Sequence, residues 1–153
     1  MTKQKKQSGQ LQTSGRSVLD LLHRAGQQAA DVFAAETSGL EVTARQFAVL
    51  QAINGEDGLS QTALVKRTGI DRSTIADIVR RMVTKGLIKR KRLKSDARVY
   101  AVSLTDKSKK ILLRASPAAR RADAQLLAPL TAQEQTRLIK YLIAITAIDI
   151  VGD

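Results

Sequence analysis

Arg72, Ser73, Thr74, Asp77, Arg80 and Arg81 hold the side chains with the most chemistry to offer, and their spacing sets them opposite Ile75, Ile78, Val79 and Met82. The apolar four recur at i, i+3, i+4 and i+7, which defines one buried stripe of a helix. The polar face then presents guanidiniums and hydroxyls. Arg72, Ser73 and Thr74 can reach base edges or nearby phosphates, with Arg80 and Arg81 closer to a sugar–phosphate backbone. Asp77 can accept from a cytosine amino group, but it also stands i, i+3 and i, i+4 from Arg80 and Arg81, and the intrahelical pair is the expected arrangement.

A second cluster follows directly. Residues 85–98 carry Lys85, Lys89, Arg90, Lys91, Arg92, Lys94 and Arg98 against Asp96 alone, so this segment holds +6 of the chain's net +12. Beyond it the chain alternates as a strand does, Tyr100, Val102 and Leu104 facing one way and Val99, Ala101 and Ser103 the other, with Lys94, Ser95, Asp96 and Ala97 as the tip of a hairpin. A basic tip is shaped to approach phosphates or a minor groove. Arg98 is the foremost wing contact, its planar guanidinium suiting a narrow negative groove, and Asp96 can orient it or another wing arginine. Arg90, Arg92 and Lys94 complete the candidate wing set, although alternation lets only some of the basic residues face DNA.

Holding these groups takes two helices and a turn. The first helix of the pair is capped by Ser60 and ends at Thr68, Gly69, Ile70 and Asp71. Gly69 gives the backbone freedom of a sharp turn, and Asp71 can accept from a free N–H near Thr74. Upstream, Ser17 and Asp20 form a capping-box-like start for a helix whose Val18, Leu22, Ala25, Ala29, Val32 and Phe33 keep helical spacing until Gly39. Thr43 and Gln46 make a second capping box, with Val42 and Phe47 spaced as a hydrophobic staple, for a helix from 43 to about 54. Downstream, Asp106 opens a long helix to about 127, interrupted by Pro117, which should kink it or leave a local break in its hydrogen bonding. Thr131 and Glu134 cap a last helix whose Leu138, Ile139, Leu142, Ile143, Ile145 and Ile148 spread so widely that another subunit is the expected cover.

Together these stretches resemble the MarR family of winged helix-turn-helix regulators over most of the chain after the first 15 or so residues. The run Val42, Thr43, Ala44, Arg45, Gln46, Phe47, Ala48, Val49, Leu50 looks like the family's second helix. Residues 64–82 look like its two DNA-reading helices, and Asp96, Ala97, Arg98 with Ser103, Leu104, Thr105 look like its wing signature. Ser108 departs from the pattern, the family commonly having a glycine shortly after the Leu-Thr pair.

The resemblance implies a mainly α fold with a small β-hairpin wing, its N- and C-terminal helices forming a dimerisation region. Residues 16–40 and 106–150 would make that helical region and 41–105 the winged helix-turn-helix DNA-binding domain. Residues 1–15 are read as a mobile basic tail, because Lys, Gln, Ser, Gly and Thr cannot offset their ordering entropy. In the family the first and last two helices interlock across a two-fold axis, which implies a homodimer reading a pseudo-palindrome with half-sites about one DNA turn, roughly 10 bp, apart. It also implies a crevice near His23, the sole histidine, where His23, Arg24, Arg45 and Phe47 would meet an effector such as an aromatic or phenolic carboxylate or its thioester. The competing reading of a lone helical histidine is an ordinary packed or solvated side chain. The function so implied is a dimeric repressor released from its operator by a small anionic molecule.

Composition narrows the alternatives. A net charge of +12 favours a polyanionic partner, and a non-specific architectural protein that coats DNA through charge alone is the rival to a sequence-specific regulator. With no cysteine there is no disulfide, no thiolate metal site and no thiol-based sensing of oxidants. One histidine, no glycine-rich phosphate loop and no carboxylate cluster tied to a nucleophile leave no catalytic constellation, so no enzyme, cofactor or metal is expected. The apolar run 141–148 falls far short of the ~20 residues of a membrane helix, and no secretory signal opens the sequence, so a cytoplasmic location without membrane contact is expected. Two Tyr and two Phe offer few platforms for stacking single-stranded RNA.

Overall fold

The computed structural model describes residues 15–92 and 99–147. In chain order it contains α1 (Val18–Glu36), α2 (Ala44–Gly55), β1 (Leu59–Ser60), α3 (Gln61–Thr68), α4 (Arg72–Thr84), β2 (Ile88–Arg92), β3 (Tyr100–Leu104), α5 (Asp106–Leu127) and α6 (Ala132–Thr146). The fold is mainly helical with a small antiparallel sheet, as expected. The N-terminal tail, Ile148 and the hairpin-tip residues Lys94, Asp96 and Arg98 lie outside the described residues.

Each helix begins where a short polar side chain can accept from an otherwise orphaned N–H. Ser17 Oγ accepts from Asp20 N at 3.1 Å and Ser60 Oγ from Ala63 N at 3.1 Å. Thr43 and Gln46 cap each other's backbone N–H reciprocally at 3.2 and 3.1 Å. Asp20 does not complete such a box on α1 but pairs instead with Arg24 at 3.0 Å. Between α3 and α4, Gly69 takes the left-handed conformation at φ 67°, and its N–H donates to Val65 O. A β-carbon is strained at that φ, which is why a glycine closes the turn.

The core gathers around α2, α3, α4 and the sheet. Leu50, Ile53, Leu64, Ile75, Val79, Met82, Leu87, Ile88 and Val102 are almost wholly removed from water, and Phe33, Leu112 and Ala115 join them from α1 and α5. The stripe expected on α4 is the stripe that is buried, Ile78 included. Val42 and Phe47 both enter this core, as a hydrophobic staple should.

Two expectations change. The sheet has three strands in the order β1-β3-β2, because Leu59 and Ser60 pair with Val102 and Ala101 across the middle strand. Two residues are too few to show a period of two, so β1 left no mark in the sequence pattern. Strict alternation in β3 also fails: Ala101 and Val102 are both buried while Tyr100 is exposed. As the central strand, with α2, α3 and α5 packed against it, β3 has its small Ala101 covered as well, whereas Tyr100 sits at the strand end beyond the core. The helix α5 continues through Pro117, whose missing N–H leaves the local break in hydrogen bonding expected there. The lost N–H would have served the carbonyl of Leu113, a residue 77% exposed, on a surface where water can substitute.

Ser108, the departure from the family pattern, is wholly buried at the start of α5. Its hydroxyl accepts from Thr105 N at 3.0 Å and donates to Thr105 O at 2.9 Å, while Thr105 Oγ1 accepts from Ser108 N. A serine there closes a capping box that a glycine could not. By contrast α6 buries none of its residues: Ile139, Tyr141, Leu142, Ile143 and Ile145 are between 39 and 62% exposed. Among the described residues no helix is long and apolar enough to cross a membrane.

Candidate nucleic-acid interface and adjoining pocket

With its apolar stripe in the core, α4 turns Arg72, Ser73, Arg80 and Arg81 to solvent and leaves Thr74 and Asp77 half-buried. Asp71 anchors the first turn, its carboxylate accepting from Thr74 N at 2.9 Å and from Ser73 Oγ at 2.7 Å. Hydrogen bonds from the Thr74 and Ser73 side chains, then from the Thr74 N–H, hold its carboxyl well below the ordinary 3.8. The cap is therefore a full anion at neutral pH, at the end of the helix where the peptide dipoles favour negative charge.

Asp77 forms the intrahelical pair anticipated for it, contacting Arg80 and, at 2.8 Å, Arg81. Carboxylate neutralisation therefore falls on the C-terminal part of the polar face. Arg72 pairs with no carboxylate among the described residues; its Nη2 donates to Thr62 Oγ1 at a long 3.4 Å. Such a contact is weak enough to exchange for a base edge or phosphate.

Past α4 the chain turns through Lys85, Gly86 and Leu87 into β2, on which Lys89, Arg90, Lys91 and Arg92 are all exposed. Arg90 and Arg92 gather about the ring of Tyr100, with guanidinium carbons 5.9 and 5.4 Å from its centroid. Sequence reading treated Tyr100 only as an apolar strand position. The signal available was its place opposite Arg92, with Arg90 two residues along the same face.

A pocket of about 820 Å³ is walled by α1, α2 and α5. His23 and Arg45 stand exposed at its rim, and Phe47 lies buried at its base with Phe33, the two rings 5.2 Å apart and inclined at 42°. Arg24 is not in the lining; it is turned to Asp20. From α5 come Ser116, Arg120 and Asp123, which sequence reading did not bring to this place. Nothing local marks them, because tertiary packing of α5 on α1 alone puts them near His23.

Comparison with known proteins agrees with this architecture. A sequence model described as the MarR family matches residues 38–99. The transcriptional regulator HosA of Escherichia coli O157:H7 is 32% identical over 102 residues, which make up 67% of this chain and 76% of HosA. Among solved structures, BpsR of Bordetella bronchiseptica, whose DNA binding is regulated by 6-hydroxynicotinic acid, superposes with a TM-score of 0.83 at 25% identity, over 90% of this chain and 98% of that one. The PcaV transcriptional regulator of Streptomyces coelicolor, in complex with its natural ligand, gives a TM-score of 0.82 at 31% identity, over 89% of this chain and 96% of that one.

Proposed function

The chain belongs to the MarR family of transcriptional regulators, and from that premise we propose that it is a dimeric, sequence-specific DNA-binding protein, a repressor whose operator complex is released by a small anionic effector. One observation carries the proposal. A helix whose apolar stripe is locked into the core turns Arg72, Ser73, Arg80 and Arg81 outward, and the next element is a strand with four exposed cations. A rigid helix with unfilled donors is what major-groove reading needs, and a cationic strand beside it supplies phosphate contacts. Arg72, Ser73 and Thr74 are assigned to base edges and adjacent phosphates, Arg80 and Arg81 to the backbone. Arg90, Arg92, Lys94 and Arg98 are assigned to the wing, with Asp96 orienting it.

For the effector the pocket chemistry favours an aromatic carboxylate. Arg45 and Arg120 offer cationic donors for a carboxylate, and the Phe33–Phe47 pair offers a face for a ring. Regulation of BpsR by 6-hydroxynicotinic acid is consistent with that class. His23 completes the proposed site.

The test is a fluorescence-anisotropy titration against a duplex from the gene's own upstream region and against a shuffled duplex, at low and near-physiological salt. Specific contacts preserve a preference as salt rises, whereas purely ionic binding loses both affinity and discrimination. A persistent preference of at least about 10³ supports the regulator. Equal binding that vanishes with salt, on every upstream duplex tried, supports an architectural protein instead.

A further inference from the structure

Tyr100 is the one aromatic residue in the basic hairpin, and its surroundings are built rather than incidental. The register pairs Arg92 with Tyr100 and Arg90 with Val102, so both arginines share a face with the ring. Toward the body of the protein that same face consists of Ile88, Val102 and Leu104, all buried. At Arg90 the core has ended, and the face continues outward as two guanidiniums around a ring that is 39% exposed. Arg92 Nε donates to the Tyr100 hydroxyl at 3.2 Å.

Two arginines on successive same-face positions repel each other and, unassisted, sample many rotamers. A ring with a negative face, within cation–π range of both, offsets the repulsion and restricts the rotamers. Because Arg92 commits its Nε–H to the phenol, both of its terminal nitrogens remain available as a donor fork for a phosphate. We propose that Tyr100 is a positioning residue of the wing, holding Arg90 and Arg92 as a prearranged phosphate clamp without itself reading sequence. The ordering of the arginines then precedes DNA binding instead of being a cost of it. This inference rests on the DNA-binding reading above and adds to it how the base of the wing is made ready.

The experiment uses the full chain, the variants Y100F, Y100L and R90A/R92A, and the tyrosine changes combined with R90A/R92A. Each is titrated against the upstream and shuffled duplexes over a series of KCl concentrations. Each cation–π contact is worth about two- to five-fold in affinity, so Y100L should weaken binding to both duplexes by about four- to 25-fold and shrink the salt slope by up to about two. Y100F keeps the ring but loses the acceptor, and should cost about two- to 12-fold. Phosphate contacts carry no base information, so the preference between duplexes should not move. In the R90A/R92A background neither tyrosine change should have a further effect.

Parental affinity and slope in Y100L would overturn the proposal. So would a loss that persists without the arginines, or one confined to a single duplex, which would make Tyr100 a base reader. Should Y100L fail to keep the parental circular-dichroism melt, Y100F decides: a loss that disappears in the R90A/R92A background supports the clamp, and no loss or a persisting one overturns it. A parent that binds neither duplex at low salt refutes the DNA-binding reading before any variant is compared.

Discussion

Ile143→Asp should convert a dimer into monomers, and its size follows from how α6 lies. In the single chain Ile143 is 62% exposed within a helix that buries nothing of its own, flanked by exposed Leu142, Ile139 and Ile145. Full burial of an isoleucine side chain is worth about 1.5–3 kcal/mol, so covering what remains exposed is worth about 1–2 kcal/mol. A two-fold interface contains the residue twice, giving about 2–4 kcal/mol in the proposed dimer. An aspartate forfeits that contribution and adds a desolvated charge costing at least a few kcal/mol more. The dissociation constant should therefore rise by about 10³ or more. Sedimentation velocity from nanomolar to tens of micromolar should show the parent at twice 16.6 kDa and the variant at 16.6 kDa. Ile143→Ala, which loses only apolar area, should fall between them. If Ile143→Asp keeps the parental mass across that range, α6 is not the interface and the reasoning from its uncovered face is wrong.

Arg72→Ala should change base preference as well as affinity, at about 1–3 kcal/mol, because Arg72 is the cation on α4 without a carboxylate partner among the described residues; selection from random duplexes reads the result directly. Arg98→Ala should weaken operator binding while leaving the circular-dichroism melt and the dimer mass unchanged, and intact binding would remove the wing assignment. Acid should loosen α4 and α6 from their N-termini. Asp71, through the Thr74 and Ser73 hydrogen bonds, and Glu134, through those from Thr131, are both held below their ordinary 3.8 and 4.5. Their caps therefore contribute fully above those values and are lost only as pH falls toward the lowered ones. Melts between pH 6 and 8 should show no change arising from these caps, with Asp71→Ala and Glu134→Gln flattening the decline below pH of about 4.

What was legible in the sequence was whatever repeats locally. Asp71, Gly69 and the Ile75, Ile78, Val79, Met82 stripe lie within a few residues of one another, and caps and periods act over that range. Thr131 with Glu134 and Asp77 with Arg80 and Arg81 were readable for the same reason. Placement that depends on distant packing was not. β1 exists only because Leu59 and Ser60 meet Val102 and Ala101, more than forty residues on. Arg120 and Asp123 reach the pocket only because α5 lies along α1. Arg24 illustrates the converse error: near His23 in sequence, it is one turn away from Asp20, and the local ion pair took it. Tyr100 was visible as a residue but not as a partner, since a period of two assigns a face and not what the neighbouring strand sets against it.

The same packing offers the proposed effector a route to DNA binding that does not touch α4. One side of α2 gives Ala44, Arg45, Phe47 and Gln51 to the pocket, while Val49, Leu50 and Ile53 lie in the core shared with α3 and α4. The opposite walls are α1 and α5, tied together by Glu36 and Arg121 at 2.7 Å, and α5 leads into α6. A ligand in this pocket thus lies between the body that carries the recognition helix and the helices proposed to hold the dimer. It can shift their relative placement only by binding one arrangement better than another. A hundred-fold loss of operator affinity needs a difference of about 2.8 kcal/mol. A charge-assisted hydrogen bond contributes about 1.5–3 kcal/mol, so a carboxylate that meets Arg45 on α2 and Arg120 on α5 together in only one arrangement supplies enough. The α2 and α5 arginines are therefore the pair whose joint engagement by one carboxylate would couple ligand to operator.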